Sequence, residues 1–343
     1  MRNNRHIHQT PQLGSYPAPI FIMGCPRSGT TLISQILNSH PDFAIYHESY
    51  FYHILTGEMK YYGDLSRHEN LRYFVSDVID IIKRKATDEH DFQPDLDSVI
   101  EMTGNHSLSG VIASVLTLYA QQHNKIRGGD KTPENYEYLN RIGSELPDSP
   151  VLFVVRDPRD VCLSSRKLFN SSLQRTSRLW NESIQRYAFH KDAVKLISYE
   201  TLVENPEAEV KAICHHIGIS YTPEMLKHSK NIPSRFLDGK KDLGLLNSSI
   251  SSRSVGGFHS MNNDEIQLIE TLCQQGMELM GYTATQGRGK ITIESTDARP
   301  SKLRLIFEKL RYYGLNPDRW RHGWVKWRIM LRTRLRYYFG YLE

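Results

Sequence analysis

Residues 24–31, Gly-Cys-Pro-Arg-Ser-Gly-Thr-Thr, bring together glycines, hydroxyls and a cation in one short stretch. They follow the apolar run APIFIM (18–23) and precede the helical pattern LISQILNSH, which reads as strand, tight loop, helix. In that setting the loop N–H groups and the positive end of the helix dipole cradle a phosphate-like anion. The spacing is G-x-x-x-x-G, yet Thr30 stands where a nucleotide triphosphatase carries its Lys. The most apolar run, VLFVV (151–155), ends in Arg156 rather than in a Mg²⁺-binding Asp. The cation sits inside the loop, at Arg27. The chemistry expected is anion binding that needs no metal.

Further along, Glu48 stands twenty-one residues after Arg27, Lys131 lies in Gly-Asp-Lys-Thr-Pro, and VVRDPRDVCLSS places Ser164 eight residues after Arg156. With PRSGTTL, SYETLVENPEAEVKAICHHIGI and the later SVGGF, these segments resemble the sulfotransferases that use 3′-phosphoadenosine 5′-phosphosulfate (PAPS). The likeness is greatest to the branch with tyrosylprotein sulfotransferases and many bacterial sulfotransferases, and it runs from Pro19 to Tyr282. It implies PAPS as cosubstrate, no required metal, and in-line displacement of the sulfuryl group onto an acceptor hydroxyl or amine. Such a transfer needs charge neutralised at the leaving phosphate and a base for the acceptor proton.

Arg27, with Ser28, Gly29, Thr30 and Thr31, is placed to hold the 5′-phosphosulfate. Glu48, after the strand beside that loop, is the expected general base. By the resemblance, Lys131 contacts the bridging oxygen, Arg156 and Ser164 bind the 3′-phosphate, Tyr199 lies near the adenine, and Arg253 adds a second cation to the 3′-phosphate. A buried strand tyrosine is the competing expectation for Tyr199, and Asp157 with Arg159 is read as a structural salt bridge. The chain departs from the family after Gly256-Gly257, where Phe258 is displaced by one.

The elements that must position these residues alternate. Strands are expected at 18–23, 43–46, 126–129, 151–155 and 194–199, and helices at 71–85, 108–121, from Thr132-Pro133, 158–167, 171–191, 206–217 and 263–280. Residues 231–258 are polar and Ser/Gly-rich and read as a long loop or lid. This order predicts an α/β, P-loop-like three-layer fold with a mainly parallel central sheet flanked by helices. The expected organisation is an N-terminal arm (1–17), one domain over 18–285 with a helical acceptor-side insertion at 50–125, and a linker and tail over 286–343.

Of the 343 residues, 39% are hydrophobic and 24% charged, values that exclude collagen and low-complexity disorder. Four scattered cysteines without a C-x-x-C, and fifteen histidines without ligand spacing, suggest neither a disulfide framework nor a metal site. No apolar stretch marks a secretory signal, so a cytoplasmic location is expected. The formal charge is +5, but residues 301–343 hold eleven Lys/Arg against three acidic residues, leaving the rest at −3. Trp320, Trp324 and Trp327 recur at i, i+4, i+7, predicting a basic amphipathic C-terminal helix. Such a helix either lies in a membrane interface at the cytosolic face or docks its Trp stripe on the domain and leaves Arg in water. The acceptor is open among carbohydrate, lipid, small alcohol and protein tyrosine. Tyr50, Phe51, Tyr52, Tyr61 and Tyr62 are read as an acceptor cleft or, more ordinarily, as core. Alternative readings are a P-loop kinase or nucleotide hydrolase, and a non-catalytic nucleic-acid-binding protein; no nucleic-acid partner is expected from a domain of charge −3.

Overall fold

A computed structural model describes residues 16–85, 92–230, 250–285 and 327–336. Five strands, β1 (Ile20–Met23), β2 (Phe43–His47), β3 (Arg127–Lys131), β4 (Val151–Val155) and β5 (Lys195–Ser198), form one sheet in the order β2-β3-β1-β4-β5. Every pairing is parallel. Parallel neighbours require crossovers, and here they are helices: α1 (Thr30–Asn38), α2 (Phe51–Leu55), α3 (His68–Lys85), α4 (Leu96–Met102), α5 (Leu108–Gln122), α6 (Leu139–Glu145), α7 (Pro158–Phe169), α8 (Leu173–His190), α9 (Tyr199–Glu204), α10 (Pro206–Ile217) and α11 (Asn263–Met280).

Strand alternation sorts the core into two layers. On β1 and β4, Ile20, Ile22, Leu152 and Val154 face α1 and α10, whose Ile33, Ile36, Val210 and Ile213 close that side. Phe21, Met23, Phe153 and Val155 face the other way, onto α3, α5, α7, α8 and α11. Because both faces are covered, the central strands β1 (IFIM) and β4 (VLFVV) read as unbroken apolar runs instead of alternating ones. The three-layer α/β expectation is met, with the sheet wholly parallel.

Local chemistry sets the boundaries. Pro158 opens α7 behind Asp157, whose side chain accepts from Arg159 N, and Pro206 opens α10 behind Asn205. Three elements differ from the sequence reading. Lys131 ends a strand that begins one residue later than expected and runs two further. Tyr199 opens α9 rather than closing β5, because Ser198 caps that helix on Thr201 N. The polar stretch at 86–107 contains α4, capped by Asp95 on Ser98 N, which its lack of long apolar periodicity concealed. Of the expected lid, 231–249 lie outside the described residues.

Residues 327–336 form a further helix, α12. It docks on α3 and the preceding turn through its basic side: Arg332 pairs with Asp77 and, at 3.2 Å, with Asp80, while Arg334 pairs with Glu58 at 3.2 Å. Ile329 and Thr333 are buried, whereas Trp327, Leu331 and Leu335 are 52%, 40% and 41% exposed. Within α12 this reverses the docked-Trp alternative. The reason is electrostatic: the acidic residues of 58–80 offer the arginines partners that an apolar face lacks. Trp320 and Trp324 lie outside the described residues.

Candidate functional site

Each strand delivers one expected residue at its carboxyl end, on the same edge of the sheet. Arg27 follows β1, Glu48 follows β2, Lys131 ends β3, Arg156 follows β4 and Tyr199 follows β5. The crevice outside these ends, where the strand order reverses around β1, is where open parallel sheets bind ligands.

The loop after β1 is built for close approach. Gly24 (φ 146) lies so near β4 that a Cβ would stand 2.2 Å from the Val154 carbonyl oxygen, and its N–H donates to the Pro133 carbonyl at 3.0 Å. Gly29 (φ 105) caps α1 without a side-chain bond, and a Cβ there would meet the Tyr199 ring at 2.5 Å. The N-terminal turn of α1 is thus left to an anion, with Tyr199 packed against its first residue. Ser28 Oγ is buried without a hydrogen-bond partner in the same loop. Such an orphan fits a bound phosphate or sulfate oxygen.

Around that cradle the cations converge. Arg27 Nε donates to Ser164 Oγ at 3.1 Å. Arg156 Nη1 donates to the Arg27 carbonyl at 3.4 Å, its Nη2 to the Ser254 carbonyl, and its guanidinium lies 4.6 Å over the Tyr199 ring. Arg156 Nε is buried and unpartnered. Tyr199 is half-buried, its hydroxyl on Ser254 Oγ at 2.5 Å, so the buried-strand alternative for it does not hold. Arg27, Ser164, Arg156 and Tyr199 therefore form one cluster. Arg253 is exposed in the turn Ser252–Ser254, and Ser254 makes the contacts on this side. Asp160 draws that segment in by accepting from Gly256 N and Phe258 N, both at 2.9 Å. Asp157 and Arg159 form the expected structural bridge at 2.6 Å, extended to Glu270.

Glu48 and Lys131 meet on the other side of the loop. Lys131 is fully buried and its Nζ lies 2.7 Å from Glu48 Oε1 and 3.3 Å from His47 Nε2. Glu48 Oε2 accepts from the Tyr50 hydroxyl at 3.0 Å. Asp130, fully buried, accepts from Ser49 N, Thr132 Oγ1 and Asn135 Nδ2, tying the Glu48 loop to the turn after Lys131. Positive φ values at non-glycine residues gather here: Arg27, Glu48 and Tyr50 are three of the five among the described residues. Strain of this kind persists where surrounding structure over-determines it. Of the aromatic run, Phe51, Tyr52 and Tyr62 are core. Tyr50 stays at the site.

His47, Asp130 and Glu134 carried no separate signal in the sequence, since each acts through a partner distant along the chain. Glu134 has a buried Oε2 without a partner, and burial, reinforced by the nearby Glu48 charge, pushes its carboxyl up to about 7. The folded state therefore holds this proton more tightly than the unfolded chain does. Its stabilising contribution is complete below the ordinary glutamate range and is lost as pH rises through about 7. Glu134→Gln is expected to be the more stable protein at pH 8, by up to about 3 kcal/mol, with the difference vanishing near pH 4. Denaturant melts at the two pH values check this; a variant less stable at pH 8 contradicts it.

Comparison with known proteins agrees with this geometry. The model of the sulfotransferase family matches residues 19–223. A Caenorhabditis briggsae protein named "Putative protein-tyrosine sulfotransferase" is 21% identical over 83% of this chain and 96% of its own length. Protein-tyrosine sulfotransferase 2 of Gallus gallus is 26% identical over 62% of this chain, which spans 54% of that relative. The sulfotransferase domain of the Synechococcus PCC 7002 olefin synthase shares the fold, with a TM-score of 0.52 and 19% identity over 78% of this chain and 96% of that domain. A family match over more than half of the residues, on a parallel sheet with the anion loop after β1, decides among the three readings of the sequence: the chain belongs to the sulfotransferase family and is a sulfuryl-transferring enzyme.

Proposed function

We propose that the protein transfers the sulfuryl group of PAPS to an acceptor hydroxyl, with a tyrosine phenol as the acceptor class. The observation that carries the reading is the pairing, at one sheet edge, of an anion cradle (Arg27 to Thr31, with Arg156 and Ser164) and a carboxylate–ammonium pair (Glu48 and Lys131). Arg27 and the loop N–H groups hold the 5′-phosphosulfate, and Arg156 and Ser164 the 3′-phosphate. Glu48 removes the acceptor proton as the acceptor oxygen attacks sulfur and the bond to the phosphate oxygen breaks. Lys131 neutralises the charge growing on the departing phosphate. One feature supports a phenol: relatives similar to this chain are named protein-tyrosine sulfotransferases.

The test begins with calorimetric titration of wild-type protein by 3′-phosphoadenosine 5′-phosphate (PAP) without metal, followed by PAPS-dependent labelling of a tyrosine peptide. Metal-free binding and labelling are expected. A folded protein that binds no PAP overturns the reading.

For the C-terminal segment we infer peripheral attachment to an anionic bilayer at the cytosolic face. It is supported by the +8 charge of residues 301–343 and by the exposed ridge of Trp327, Leu331 and Leu335. No described helix is long and apolar enough to cross a membrane. Replacing the three ridge residues with Ser in the full chain is expected to abolish co-flotation with phosphatidylserine vesicles. Flotation equal to wild type refutes the attachment.

A further inference from the structure

Glu48 is held at both oxygens from two directions. Lys131 Nζ bonds Oε1 at 2.7 Å and the Tyr50 hydroxyl donates to Oε2 at 3.0 Å. The second contact joins residues two apart, which a helix places on different faces and an extended strand places on one face but about 7 Å apart. It exists here because the chain takes a left-handed conformation twice, at Glu48 (φ 52) and at Tyr50 (φ 54). Each such residue costs about 1–2 kcal/mol.

The segment 130–132 compensates that cost, one residue at a time. Glu48 N donates to the Lys131 carbonyl at 2.7 Å, Ser49 N to Asp130 Oδ1 at 3.2 Å, and Tyr50 N to Thr132 Oγ1 at 3.5 Å. The strand that carries Lys131 thus also dictates where the Tyr50 ring points. The following aromatics, Phe51 and Tyr52, turn into the core, and Tyr52 spends its hydroxyl on Ser109. Tyr50 alone of this run reaches the carboxylate.

We propose that Tyr50 is a positioning residue for Glu48, its hydroxyl fixing the carboxylate plane and favouring the ionised form that accepts the acceptor proton. The proposal rests on the reading of Glu48 as general base. Its physical basis is that donors to a carboxylate stabilise the charge, while a neighbouring carboxyl opposes it. The charged and titratable groups facing Glu48 are Lys131 on β3, His47 on β2, Tyr50 in its own loop and Glu134 in the turn after β3. Two carboxyls in unlike surroundings take unlike roles: Glu48, with two donors, is the base, and Glu134, with an orphaned oxygen, holds its proton up to about pH 7.

The experiment compares wild type with Tyr50→Phe, which keeps the ring and removes one oxygen. Carboxyl-¹³C-labelled glutamate followed by NMR reports the titration of Glu48, its resonance assigned by its loss in Glu48→Gln. The Glu48 midpoint is expected to move to higher pH in Tyr50→Phe, because a hydrogen bond to the charged form is lost. With a tyrosine peptide, kcat is expected to fall roughly tenfold because the carboxylate is no longer held in one orientation, while the KM for PAPS stays unchanged. The acidic limb of the pH profile shifts with the NMR midpoint. PAP affinity measured alongside is unaffected, since the phenol lies outside the anion cradle.

An unmoved Glu48 midpoint overturns the proposal, as does wild-type kcat in the variant. The NMR titration needs no turnover, so its outcome stands apart from that of the functional reading. A protein whose Glu48 midpoint responds to Tyr50→Phe but which binds no PAP keeps the positioning role and refutes the nucleotide.

Discussion

Glu48→Gln is expected to reduce sulfuryl transfer by about 10²- to 10⁴-fold in kcat, the range over which a positioned general base contributes. The substitution keeps the shape of the side chain and an oxygen that still accepts from Lys131 Nζ or the Tyr50 hydroxyl. What it removes is the basic oxygen and the negative charge. Lys131 is fully buried, and in the variant its ammonium keeps His47 Nε2, 3.3 Å away, and a neutral amide oxygen but loses the opposing charge. Glu48 itself is 34% exposed, so solvent screens the pair, and a modestly lower melting temperature should accompany the lost activity. The two effects separate experimentally. PAP binding, which the proposed function assigns to Arg27, Ser164 and Arg156 on the opposite side of the loop, should survive. A folded variant with PAP affinity intact and turnover near that of wild type would exclude Glu48 as the base.

Arg27→Ala is expected to weaken metal-free PAP binding by about a hundredfold, equivalent to one or two charge-assisted hydrogen bonds. Arg27 has φ 77, donates to Ser164, and offers its carbonyl to Arg156, so its side chain and its backbone make separate contacts in the proposed site. Truncation removes the side-chain bonds and leaves the carbonyl contact. Arg27→Lys should recover only part of the loss, because an ammonium is a point charge and cannot present the planar fork that meets two anionic oxygens. Arg156→Ala should weaken PAP at least as much and lower stability too, since its guanidinium joins the loop, Ser254 and the Tyr199 ring. Calorimetry on the three variants distinguishes these effects. Arg27→Ala binding PAP as tightly as wild type would remove the loop from the anion site.

The placement of Glu48 and Lys131 illustrates why most of the site could be read in advance. Glu48 directly follows the largely apolar run of β2. Lys131 ends β3, which pairs with β1 and β2 although its sequence Arg-Gly-Gly-Asp-Lys is not apolar, and the carboxyl ends of parallel strands share one edge. Finding the strands therefore found the edge. Tyr199 marks the limit of such reading: the run VKLISY continues through it as a strand, and only the capping of Ser198 on Thr201 N turns it out of the sheet and onto Gly29. Arg253 shows the same limit, because its neighbour Ser254, one residue along, takes the contacts with Arg156 and Tyr199.

By itself the amino-acid sequence determined the alternation of strand and helix, the anion loop between Gly24 and Thr31, and the identity of the charged groups at the strand ends. The first two depend on local spacing and on apolar periodicity, which are properties of neighbours along the chain, while Lys131 and Arg156 are singled out by the resemblance to the sulfotransferase family. Only the tertiary structure decided that Ser164 partners Arg27 across 137 residues, that His47 and Tyr50 brace the Lys131–Glu48 pair, that Glu134 is left with an unpartnered oxygen, and that Arg332 and Arg334 of α12 face inward onto Asp77, Asp80 and Glu58. Those outcomes depend on which polar groups become buried together. Burial strengthens or penalises a charge according to partners brought from distant parts of the chain, and no local pattern records them.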